Sequence, residues 1–125
     1  MKQSRFKILL PLAAALTFGA CGLFGGPGKA TKNFYYALEA GRVDEAMEMV
    51  SNQTKSALGQ QKLRGVLSDV TRKIKQRGGI ASIEVASEEI TGEIADVAGT
   101  IKYKDGTNES FNQKLLKEKG DWKLE

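Results

Sequence analysis

The 125-residue sequence has no histidine, a single cysteine at Cys21, two prolines and no apolar run long enough to cross a bilayer. Without histidine there is no Ser-His-Asp or Cys-His arrangement, and the usual zinc sites lose their commonest nitrogen ligand. A lone cysteine excludes an internal disulfide framework. The longest apolar run, Ile8 to Ala20, is thirteen residues and contains Pro11 and Gly19, whereas a spanning helix needs about 20. No phosphate loop or dinucleotide fingerprint appears, and no run of acids has the spacing of a calcium loop. No cofactor is expected.

What is present begins with a three-part leader. Lys2, Arg5 and Lys7 precede the apolar run, and small residues lead into Cys21, which is the layout of a secretory signal. Phe18-Gly19-Ala20-Cys21 resembles the lipobox of bacterial lipoprotein precursors, with Phe18 where that pattern usually has Leu. The resemblance implies cleavage before Cys21, a diacylglycerol on its thiol and acylation of the new amine. Each buried methylene contributes roughly 0.8 kcal/mol, so several acyl chains hold a protein to a membrane without a spanning helix. Gly22 is not the aspartate that commonly favours inner-membrane retention, so the resemblance further implies the outer membrane in didermic bacteria. Removing Lys2, Arg5 and Lys7 from 19 basic side chains leaves 16 against 15 acids. That balance excludes an electrostatic nucleic-acid surface. The chain is expected to divide into a signal peptide (1–20), a lipidated cysteine with a glycine-rich tether (21–28) and one domain (29–125). The tether Gly22–Gly28 would reach only about 15 Å as a flexible coil; Leu23 and Phe24 either dip into the membrane interface or are plain tether residues.

From Lys29 the pattern is helical, with Ala30, Phe34 and Leu38 spaced by fours and a stop at Gly41. A second short helix carries Val43, Ala46, Met47 and Val50 on its apolar side, with Asp44 near its start. Ser51 to Gly59 is ambiguous. A third helix, Gln60 to Gln76, places Leu63, Val66, Leu67, Val70 and Ile74 on one stripe. Arg72, Lys73, Lys75 and Arg77 crowd its end, where cations suit the helix dipole. After Gly78-Gly79 the period changes to two. Ile83 and Val85 alternate with Glu84; Ala95, Val97, Gly99, Ile101 and Tyr103 share a face, opposite Asp96, Thr100, Lys102 and Lys104. Asp105-Gly106 signals a hairpin. A strand over about 108–117 sets Phe111 and Leu115 on one side, and Gly120-Asp121 turns the chain into Trp122-Lys123-Leu124. Helices first and strands afterwards predict an α+β domain, the helices laid on a four-stranded antiparallel meander. Glu88, Glu89 and Glu93 flank a turn and are read as solvated rather than cation-binding.

The segments KATKNFYYALEAGRVDEAMEMVS, KLRGVLSDVTRKIKQRGGIASIEV and ITGEIADVAGTIKYKDGTNESFNQKLLKEKGDWKLE together resemble a bacterial lipoprotein family of unknown function. That family has the nuclear-transport-factor-2-like, or cystatin-like, fold. The resemblance implies a curved sheet wrapped around a long helix, leaving a cone, and supplies no catalytic residues. The expected cone-lining residues are Tyr35, Val70, Ile101, Tyr103 and Trp122. Some enzymes on this fold place an Asp or Tyr in the cone, which makes Asp96, Tyr35, Tyr36 and Tyr103 the candidates to inspect; strand parity puts Asp96 toward solvent. The expected protein is therefore a non-catalytic envelope lipoprotein that binds a small apolar ligand or an envelope protein. The alternative is an enzyme of isomerase or hydratase type using the same cone.

Overall fold

Pro27 opens the first helix, where a missing N–H costs nothing and a fixed φ helps. The computed structural model describes residues 25–125; the signal segment, Cys21, Leu23 and Phe24 lie outside the described residues. Four helices come first: α1 Pro27–Glu39, α2 Val43–Glu48, α3 Asn52–Leu58 and α4 Gln60–Gln76. Four strands complete the chain: β1 Ile80–Thr91, β2 Ile94–Tyr103, β3 Asn108–Glu118 and β4 Asp121–Leu124. They form one antiparallel sheet in the order β1-β2-β3-β4. Helix α1 starts two residues before the expected domain edge at 29, and Pro27 and Gly28 are buried in it rather than belonging to the tether. The helix ends where expected. Gly41, at φ 79°, donates to the Leu38 carbonyl while Arg42 donates to Ala37, the paired bonds of a left-handed helix stop.

The ambiguous stretch is α3, and a cap explains it. Buried Ser51 accepts from the Thr54 N–H at 3.2 Å and donates its own N–H to the Leu124 carbonyl at 2.7 Å. A parallel bridge between Val50 and Leu124 closes the same junction, so helices and last strand are joined there. In α4 the buried residues are Leu63, Leu67, Thr71 and Ile74. Val66, expected on the stripe, is 44% exposed, because at about 100° per residue it sits roughly 90° from the centre of that stripe. Thr71 is the polar member of the buried face, and its hydroxyl donates to the Leu38 carbonyl at 2.9 Å, tying α4 to α1. Thr71→Val is expected to cost about 1 kcal/mol, read as a lowered urea midpoint; a Thr71→Ser variant that keeps the bond should lose less.

The core lies between the helices and one sheet face, with Leu38, Ala46, Ala95, Val97 and Leu115 fully shielded. Strand β1 breaks its alternation. Register shifts between Ile80 and Ser82 and between Val85 and Ser87 mark bulges, which bend a strand and change the parity of the residues beyond them. Before the second bulge Ile83 and Val85 face the helices opposite Ile101 and Gly99; after it Glu88 and Ile90 do, opposite Val97 and Ala95. Glu88 is thereby turned from the solvated turn onto the start of α1, where its carboxylate accepts the Gly28 N–H at 3.0 Å. A Cβ on Gly28 would lie 2.8 Å from the Glu88 carboxyl carbon. Among the described residues no three His, Cys, Asp or Glu side chains are grouped to hold a metal ion, and no helix is long and apolar enough to cross a membrane.

Candidate functional site

The register of β2 and β3 builds one end of a cavity. Ile101 pairs with Glu109 and Gly99 with Phe111, so Ile101, Tyr103, Glu109 and Phe111 all face the helices near the Asp105-Gly106 hairpin. Helix α1 contributes Tyr35, and α4 contributes Val70, Lys73 and Ile74 one turn apart. These residues enclose a cavity of about 310 Å³, with Ser110 and Asn112 at its edge. Its floor is apolar: Ile74 and Ile101 are almost completely buried and Val70 is half-buried. Its wall is aromatic, with the Tyr35 ring centroid 5.9 Å from that of Phe111 and 5.5 Å from that of Phe34. Gly99 makes this wall possible. A Cβ there would lie 2.7 Å from Cζ of Phe111 and overlap the Glu84 carbonyl oxygen.

The polar groups are few and converge. The Tyr103 hydroxyl donates to Oε1 of Glu109 at 2.8 Å. Burial raises the Tyr103 pKa well above its ordinary value of 10.0, the hydrogen bond and the charge of Glu109 add to the rise, and Arg77, whose Cζ lies 4.9 Å over the same ring, opposes it. Tyr35 is raised in the same direction, first by burial and then by Glu109. Both phenols therefore stay protonated, and that of Tyr103 is the donor to Glu109. The folded domain holds the Tyr103 proton more tightly than the unfolded chain does. Its contribution to stability is complete below about pH 10 and is lost as pH climbs through the higher folded value. Glu109→Gln is expected to bring the Tyr103 titration, monitored by tyrosinate absorbance, back toward the ordinary range; an ordinary value in the wild type would contradict the geometry.

Of the five expected cone residues, Tyr35, Val70, Ile101 and Tyr103 line this one cavity. Trp122 does not. It pairs with Lys117, six residues along β3 from Phe111, or about 20 Å at strand spacing, and the Lys117 Nζ lies 5.4 Å from the centre of its ring. Asp96 is exposed on the outer sheet face, and Tyr36, 41% exposed, lies on the other side of α1 beside Gly28 and Val85. Glu109 and Lys73 were not among the expected residues. Glu109 was legible by parity, since it stands two residues before Phe111 on the face that also carries Leu115. Lys73 is masked by the cationic helix end to which it belongs.

A family model described as a domain of unknown function, DUF4878, matches residues 19–125. No curated protein matches the chain. Among solved structures, the crystal structure of a "Putative NTF2-like transpeptidase" from Campylobacter jejuni is similar with a TM-score of 0.67 and 23% identity, covering 80% of this chain and 97% of that one. The likeness assigns the nuclear-transport-factor-2-like fold.

Proposed function

The chain belongs to the DUF4878 family of unknown function, and we propose that it is a lipid-anchored protein of the bacterial envelope whose domain binds a small ligand without transforming it. The observation that carries this reading is the cavity: an apolar floor, an aromatic wall and a few convergent polar groups are the usual anatomy of a small-molecule site. The leader and Cys21 support the anchor, and Gly22 supports the outer membrane as its place. The transpeptidase named for the Campylobacter protein would need an activated nucleophile. This sequence has no histidine, and no serine from residue 25 onward is followed three positions later by lysine, so neither the triad nor the Ser-x-x-Lys device is available to the domain.

One observation favours the isomerase or hydratase alternative, namely that Glu109 places a carboxylate in the cavity, where a general base would stand. Against it, Oε1 already accepts the Tyr103 hydroxyl. The binding reading is tested by NMR titration of p-cresol into the protein: shifts are expected at Tyr35, Val70, Ile101 and Phe111 and are abolished by Val70→Trp, which fills the space. Shifts spread over the whole surface would remove the reading. The anchor is tested separately by intact mass spectrometry of membranes carrying the wild type or Cys21→Ser. The wild type is expected to begin at residue 21 and carry diacylglycerol and an amide-linked acyl chain, and the variant to keep its leader. An unacylated wild-type chain would refute the anchor.

A further inference from the structure

The cavity is lined by two opposite charges that do not neutralise each other. Glu109 and Lys73 both line it, yet neither takes part in an ion pair among the described residues. Oε1 of Glu109 is occupied by the Tyr103 hydroxyl, while Oε2 has no hydrogen-bond partner among the described residues. Glu109 stands on β3 and Lys73 on α4, so the charges come from opposing layers, and both side chains are exposed while the groups beneath them are buried. A ligand with one charge would satisfy one side and meet the other as a like charge. From these facts the geometry points to a small zwitterion with an apolar or aromatic body, an α-amino acid or a compound of that form. Its ammonium would meet Glu109, its carboxylate would meet Lys73, and its side chain would lie against Tyr35 and Phe111 above Ile101. This inference rests on the binding reading above and specifies its ligand.

Isothermal titration calorimetry on the full detergent-solubilised protein tests it, with L-phenylalanine, its N-acetyl derivative, its amide and p-cresol as probes. L-phenylalanine is expected to bind, and each derivative that lacks one charge to bind roughly ten- to a hundredfold more weakly, the worth of one charge-assisted hydrogen bond. Glu109→Gln should weaken the parent but not the N-acetyl derivative, which is freed of a like charge and should bind as well or better; Lys73→Met should weaken the parent but not the amide, for the same reason. Equal affinity for parent and derivatives would overturn the zwitterion, and the wild-type protein alone decides that comparison. Binding of p-cresol without binding of L-phenylalanine would overturn it too while sparing the cavity as a site. Failure of all four probes would remove both.

Discussion

Alanine at position 99 is expected to destabilise the domain by about 1–3 kcal/mol and valine by more, seen as a large drop in the urea midpoint. Gly99 is buried in the middle of β2, paired with Val85 on one side and Phe111 on the other. The reason is space and not backbone freedom. An added Cβ meets the Phe111 ring at 2.7 Å and the Glu84 carbonyl closer still, so either β1 separates from β2 or the ring leaves its place. If the ring moves, the aromatic wall moves with it, and p-cresol binding should fall along with stability. An unchanged midpoint for Gly99→Ala would mean that the strands relax at no cost.

The second large effect is expected at Leu38. Its side chain is 0% exposed, and its carbonyl receives both the Gly41 N–H and the Thr71 hydroxyl. Truncation to alanine there removes atoms from a place where α1 and α4 are held together and cannot easily close the gap. The transfer and cavity terms of such a change amount to a loss of about 2–5 kcal/mol. Val66→Ala, on the exposed side of α4, is the matched control and should stay within about 0.5 kcal/mol. Equal losses at the two positions would show that the packing between α1 and α4 is not what holds the helical layer on the sheet.

Much of this architecture could be read from residue spacing. Leu63, Leu67 and Ile74 announced α4, Asp105-Gly106 announced the hairpin, and the face carrying Val97, Ile101 and Tyr103 is the buried one. These signals are local and periodic, and local periodicity survives folding when one face is covered. What escaped was set by tertiary geometry. The bulge after Val85 shifts parity by one, so Glu88 and Ile90 exchange faces with Ser87 and Glu89, and nothing in that run of residues announces an extra member. Trp122 was expected in the cavity from the family resemblance, but a shared fold does not fix a position along a strand, and its pairing with Lys117 sets it apart from Phe111. Four cavity residues could be named because the family resemblance implies a cone between helix and sheet, and α1, α4 and one end of β2 build it here. Glu109 was overlooked because a charged residue on an inward face is usually discounted, although that unusual placement is what marks it.

The contact between Gly28 and Glu88 also gives the domain a polarity. The polypeptide enters it beside the far portion of β1, opposite Val97, whereas the cavity opens at the other extremity of β2, beyond Ile101. Along α1 from Pro27 to Tyr35 the distance is about 12 Å, and along β2 from Val97 to Tyr103 about 20 Å. Were the molecule held by its leading end, as the proposed anchor requires, its hollow would face outward at the remote pole, and a visitor arriving from the surrounding fluid would meet the opening first.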